Sequence, residues 1–228
     1  MEIKKYIILL ILTYLLSNDI NNYKVSLYGI PMSNVTINYK DTIYNNKKAI
    51  NLKFETQTNE FASKIFKVDN LYETIIAKDN FEILSFQKIT HQPGLINKLI
   101  TINKNDSLFY INSDITIPKN YFNIFSLLHY LTITPFYKIE SNINLEREGL
   151  LYNCHIKKTD NNDVYEYELI FDPINNTQKS IIEHTDIFTW AIFKENSYKK
   201  ISIYKNDNKI KSCIFNFGLT KLEAEIES

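Results

Sequence analysis

Few residues in this chain have the types and spacing to do chemistry together. The four histidines are His91, His129, His155 and His184, and none stands three or four residues from another. No H-E-x-x-H, C-x-x-C or His-x-His occurs, so the short spacings that build a metal site on one helix or hairpin are missing. Cys154 and His155 are adjacent, but neighbours on a strand point to opposite faces. No G-x-S-x-G, Walker or dinucleotide glycine pattern is present, and four glycines leave little from which to build one. Glu146, Glu148, Glu166 and Glu168 invite a paired-carboxylate reading, the arrangement that general acid and base work requires. Glu166 and Glu168, however, alternate with Tyr165, Tyr167 and Leu169, which describes the wet face of a half-buried strand. No catalytic residue, metal ligand or cofactor is therefore assigned, and the chain reads as non-enzymatic.

Two further features carry potential chemistry. Cys154 and Cys213 are the two cysteines, and each falls on the apolar side of an alternating segment. Two readings stand: one disulfide, as suits an exported protein, or two separate buried thiols acting as small hydrophobes. Trp190 lies in the run Ile187-Phe188-Thr189-Trp190-Ala191-Ile192-Phe193, too apolar for a free loop. It belongs either to the core or to a binding surface.

The elements that must position these residues are strands. Period-two alternation runs through most of the chain, beginning with Tyr23, Val25, Leu27 and continuing with Val35, Ile37, Tyr39 and Ile50, Leu52, Phe54. Strands are predicted over 65–77, 81–91, 95–103, 108–111, 136–146, 150–158, 164–172, 179–184, 198–205, 209–217 and 219–227. Asn45-Asn46, Pro93-Gly94 and Glu148-Gly149 punctuate them as turns. Such joins are too short for helical crossovers. The expected fold is therefore mainly β: a strongly curved antiparallel sheet or open β-barrel.

One segment departs from this pattern. Residues 120–132 have helical periodicity, with Asn120 placed to cap the start and Pro135 to stop the end. The helix is apolar nearly all round, which implies burial against the sheet. Phe122, Phe125, Leu128 and Tyr130 are the candidate ligand-lining residues, and plain core packing is the alternative for the same face. A shorter helix or turn fits 58–64.

At the N-terminus, Met1-Glu2-Ile3-Lys4-Lys5 precedes an apolar run from Tyr6 to Leu16, broken only by Thr13. This is the pattern of a signal peptide over residues 1–17. An uncleaved anchor and a buried helix are the alternatives. No other segment has the roughly 20 apolar residues needed to span a bilayer, so the mature chain, one β-rich domain over 18–228, is expected to be soluble in the periplasm or secreted. Hydrophobic content of 44% supports a core, and a net charge of +0 gives no electrostatic case for nucleic acid.

Three segments together resemble the domain-of-unknown-function 3108 family of bacterial exported proteins. They are Tyr23 to Pro31 followed by Val35-Thr36-Ile37, Phe66 to Glu73, and Asn123 to Leu131. The third looks like the family's central helix, with Asn123 where the family often carries Asp. The resemblance implies a curved antiparallel domain in the bacterial envelope and supplies no catalytic residues. With the missing motifs, it leads to an expected function of binding an apolar or amphipathic ligand such as lipid, or another envelope component. The alternative is an interaction or scaffold protein without a ligand pocket.

Overall fold

The computed structural model describes residues 19–104, 107–111, 113–174 and 180–227; residues 1–17 lie outside them. Fourteen strands form one sheet among the described residues. They are β1 (Asp19–Leu27), β2 (Ile30–Tyr44), β3 (Lys47–Thr58), β4 (Asp69–Ala77), β5 (Ile83–Gln92), β6 (Leu95–Lys104), β7 (Ser107–Tyr110), β8 (Thr116–Pro118), β9 (Asn142–Arg147), β10 (Leu150–Asp160), β11 (Val164–Pro173), β12 (Tyr198–Tyr204), β13 (Ile210–Phe217) and β14 (Thr220–Ile226). The order is β8-β7-β6-β5-β4-β3-β2-β1-β14-β13-β12-β11-β10-β9. Two meanders are thus joined where the first strand pairs antiparallel with the last, Tyr23 opposite Ile226 and Leu27 opposite Leu222.

Local chemistry explains the meanders. Two-residue turns join paired strands at Tyr28-Gly29, Asn45-Asn46 and Glu148-Gly149, and each of these residues has positive φ. That geometry matches the twist of the flanking strands and favours Asn and Gly. Gly149 has a further constraint. A Cβ on it would lie 3.1 Å from Ile181 Cγ1 and 3.3 Å from Ile115 Cδ1, so glycine lets the 113–115 and 180–182 loops close over this hairpin.

The sheet curls into a nearly closed barrel whose edges, β8 and β9, are not sealed by strand pairing. Phe122 patches this seam: its N–H donates to Asn144 O at 2.9 Å, and its carbonyl accepts from Glu146 N–H at 2.8 Å. This single parallel bridge covers part of what would otherwise be two exposed edges.

Three short helices pack on the barrel: α1 (Glu60–Ser63), α2 (Ile124–Ile133) and α3 (Ile187–Phe193). The central helix begins later than the sequence pattern predicts, because residue 122 is committed to the seam. Asn123, not Asn120, is the cap. Its Oδ1 accepts from Ser126 N–H at 2.9 Å, and Ser126 Oγ accepts from Asn123 N–H at 3.0 Å, a reciprocal capping box. Thr134 and Pro135 end the helix, and a 3-10 turn follows at Phe136–Lys138. The expected strand over 136–146 is therefore shortened to β9. Residues 181–184 bend rather than extend, and the rest of the strand expected at 179–184 is not described at residue 179. Inward side chains of α2 and of both meanders form one core cluster. Among the described residues no helix is long and apolar enough to cross a membrane.

Candidate functional site

The barrel interior is not uniformly filled. Toward the end closed by α3, an apolar cavity of about 100 Å³ lies between α2, α3 and strands β1, β2, β3, β13 and β14. Val25, Phe54, Phe125, Leu128, Phe215 and Ala224 are among its lining residues. These positions converge because strand alternation puts them on the concave face. Phe125 stands at the centre of an aromatic group, with ring centroids 4.8 Å from Phe54, 4.7 Å from Tyr72 and 6.1 Å from Phe86. α3 closes the cavity with Phe188 and Ile192.

Beyond Phe125 and Tyr72 the interior becomes ionic. A cavity of about 20 Å³, lined in part by Tyr72, Lys88, Asn123, Glu146 and Glu148 and in part by Phe86, Phe125 and Phe193, has the size for one water molecule. Lys88 is 1% exposed and pairs with both Glu148 and Asp186, the latter at 2.5 Å. It also donates to Thr185 Oγ1 at 3.1 Å, and Thr185 donates to Glu148 Oε1 at 2.6 Å. Tyr72 OH donates to Asp186 Oδ1 at 2.6 Å and accepts from Asn70 Nδ2 at 3.1 Å. Arg147 Nε lies 3.6 Å from Glu148 Oε2, with its guanidinium over the Phe193 ring. Tyr110 OH donates to Glu146 Oε2 at 2.8 Å.

Electrostatics follow from burial and partners. Burial alone would raise Asp186, but the Lys88 ammonium and several hydrogen bonds outweigh it and hold the carboxyl below its ordinary value. Burial pushes Glu146 up from 4.5 to about 7, against the opposing hydrogen bonds of Tyr110 and Gly149 N–H. Burial likewise raises the Tyr72 and Tyr110 phenols. The cluster therefore consists of charges that neutralise one another out of water. Its mechanical consequence is plain. Asp186 accepts from the N–H groups of Phe188 at 2.9 Å and Thr189 at 3.0 Å, so it caps α3 while tied to Lys88 on β5. The cluster pins the helix that closes the apolar cavity. Among the described residues no group of three or more His, Cys, Asp or Glu side chains could hold a metal ion.

No protein-family model matches this chain, and no curated protein matches it. One solved structure is similar. It is a β-barrel-like protein of the domain of unknown function DUF1849 from Brucella abortus, with a TM-score of 0.52 and 10% identity over 93% of this chain and 97% of that one. The likeness shows the fold alone. It also corrects the resemblance to the domain-of-unknown-function 3108 family, because the match over nearly the whole chain is to a different family. A strand ending in Gly-Ile-Pro and an apolar helix are local devices that curved antiparallel folds share, so they do not discriminate between families.

The four candidate lining residues do not share one pocket. Phe125 and Leu128 line the apolar cavity. Phe122 and Tyr130 pack with Phe81, at centroid distances of 6.3 and 5.1 Å. They face a separate, wider groove of about 920 Å³ at the seam, whose polar residues include Glu82, Asn144 and His155. Cys154 and Cys213 are free thiols, both buried. They sit on β10 and β13, three strand intervals apart in the sheet, about 14 Å along the wall where bonding needs Cα atoms within about 7 Å. Burial pushes both thiols up to about 12. His155 points outward, Nε2 3.1 Å from Asp172, while Cys154 points inward. Glu166 and Glu168 pair with Lys200 and Lys157 on the outer face. Trp190 is 41% exposed on α3, its ring edge-on to Phe217. Sequence reasoning passed over Lys88 and Asp186, and it noticed Glu146 and Glu148 only as a possible carboxylate pair. For Lys88 a signal existed: it is in phase with Phe86 and Thr90, which places a lysine on the inward face of β5.

Proposed function

We propose that the chain is an exported, non-catalytic envelope protein that holds an apolar or amphipathic ligand, such as a lipid, inside its barrel after loss of residues 1–17. The observation that carries the reading is the apolar cavity closed by α3. Export is supported by the composition of residues 1–17 alone. The cavity is smaller than the roughly 150 Å³ that suffices for benzene in a dry protein interior. As it stands it accepts the end of a chain, and a longer ligand requires α3 to swing outward.

The test is native purification followed by solvent extraction and mass spectrometry, with displacement of an environment-sensitive naphthalene dye by C8–C16 fatty acids. Ala224→Leu adds three carbon atoms to the cavity and is expected to weaken dye binding at least about tenfold with the fold intact. Absence of both extracted lipid and displaceable dye, or an Ala224→Leu protein that binds like the parent, refutes the reading. The second reading, an interaction or scaffold protein, rests on the outer face of α3, where Ile187 and Trp190 are exposed. A partner lost on Trp190→Ala, in a protein that binds no dye, favours it.

A further inference from the structure

Apolar side chains crowd one corner of the barrel rim. Strand register brings three turns together at the end that α3 closes: Leu27 stands opposite Ile30, Ser33 opposite Thr58 and Phe217 opposite Thr220. The turns are tied to one another. Tyr28 N–H donates to Lys221 O at 3.1 Å, and its hydroxyl donates to Thr220 Oγ1 at 3.3 Å. Asn59, the cap of α1, donates from its backbone N–H to Met32 O at 2.9 Å and from Nδ2 to Pro31 O at 2.6 Å. This corner carries Tyr28, Ile30, Phe61, Ile65 and Leu219, from 57% to 95% exposed. Trp190 on α3 extends the group, because its ring meets Phe217 at the base of the 217–220 turn. Single exposed apolar residues are ordinary, but a contiguous group marks an interaction surface.

Geometry and charge indicate what covers it. The side chains stand on separate turns and on a one-turn helix, so they project as tips rather than forming a flat face. A fluid surface closes around such tips, whereas a rigid partner needs a matching hollow for each. Exposed Lys64 and Lys67 bracket Ile65 and Phe66, and neither takes part in an ion pair among the described residues. Lys194 lies over the Trp190 ring, 5.3 Å from its centroid. Glu60, Asp69 and Glu195 offset these three lysines in formal charge, and Lys221 pairs with Glu223 at 2.6 Å. Apolar tips among balanced charges complement a zwitterionic phospholipid surface. The tips enter below the head groups, while lysine stems lie along the apolar boundary with their ammoniums at phosphate level. We infer that this corner is a membrane-docking face that seats the barrel on a zwitterionic phospholipid bilayer, with α3 turned toward the lipid. Entry of an apolar ligand from the bilayer past α3 rests on the cavity reading above; docking itself does not.

The experiment titrates phosphatidylcholine vesicles, with and without anionic phosphatidylglycerol, into the full chain at low and high salt. It is read by the fluorescence of Trp190, the chain's single tryptophan. Trp190 reports this corner itself, so attachment through the apolar run at 6–16 is not mistaken for docking. Expected with phosphatidylcholine alone, at both salt concentrations, are a blue shift of the emission and quenching by lipids that carry a nitroxide near the head group. Leu219→Asp and Ile65→Asp, both at exposed turn positions, are each expected to raise the lipid concentration for half response at least about tenfold, with the circular dichroism unchanged. Ile43→Asp, at the opposite rim and 75% exposed, is expected to respond like the parent. The inference is overturned if Trp190 does not respond, if the Leu219→Asp and Ile65→Asp proteins respond like the parent, or if the response needs phosphatidylglycerol and is lost in high salt. A dimer that Leu219→Asp dissociates, in a protein that ignores vesicles, overturns it in favour of a second copy of the chain. Extracted lipid or displaceable dye in a protein that ignores vesicles removes this inference and leaves the cavity reading standing.

Discussion

Lys88→Met is the sharpest test of the buried ionic cluster. The substitution keeps an unbranched side chain of similar length and removes the ammonium. Asp186 and Glu148, 0% and 3% exposed, are then left without their shared cation. Removing one partner of a buried pair costs about 3–5 kcal/mol, because the remaining charge stays desolvated. Domains of this kind are stable by about 5–15 kcal/mol in total. At this length each kcal/mol lowers Tm by roughly 2–4 °C, so a fall of about 6–20 °C is expected. The loss should be felt first at α3, whose N-terminal amides depend on Asp186. The assay is urea and thermal unfolding by circular dichroism, with amide hydrogen exchange across residues 187–193. A double-mutant cycle with Asp186→Asn isolates the pair, and a coupling above about 1 kcal/mol is expected for groups in contact. A Lys88→Met protein within about 0.5 kcal/mol of the parent, or strictly additive variants, would refute the claim that this cluster fastens the cavity's closing helix.

Three other predictions concern titration and thiol chemistry. Glu146 has a folded-state value raised from 4.5 to about 7, so its contribution to stability is full below about pH 4.5 and is lost as pH rises through 7, by about 3 kcal/mol at most. Glu146→Gln should flatten that decline in stability between pH 5 and 8. His129 has the opposite sign: with its value lowered to about 4, its contribution is present above about pH 6.5 and is lost as pH falls through 4, and His129→Gln should flatten the acid limb instead. A Glu146→Gln profile that still falls from pH 5 to 8 would show that other groups set that limb. For the thiols, both raised to about 12 by burial, iodoacetamide at pH 8 should label neither cysteine in the native protein and both in urea, without prior reductant. Native labelling, or a need for reductant, would contradict the buried, unbonded arrangement.

What the sequence determined by itself was local. Alternation on β3 and the Asn45-Asn46, Pro93-Gly94 and Glu148-Gly149 turns were legible, because side-chain period and positive φ depend on near neighbours. The apolar segment around Phe125 read as a buried helix for the same reason. Tertiary structure decided everything that depends on distant partners. Pairing of β1 with β14 sets the closure, and the Phe122 bridge to β9 moves the helix cap from Asn120 to Asn123. It also sends Phe122 and Tyr130 to the seam while Phe125 and Leu128 face the cavity. The ionic cluster was the least visible feature. Tyr72 and Asp186 stand 114 residues apart, and a charged side chain in a sequence carries no mark of being desolvated. Only the curled sheet with α3 packed on it, by removing water from both groups at once, turns them into a fastening.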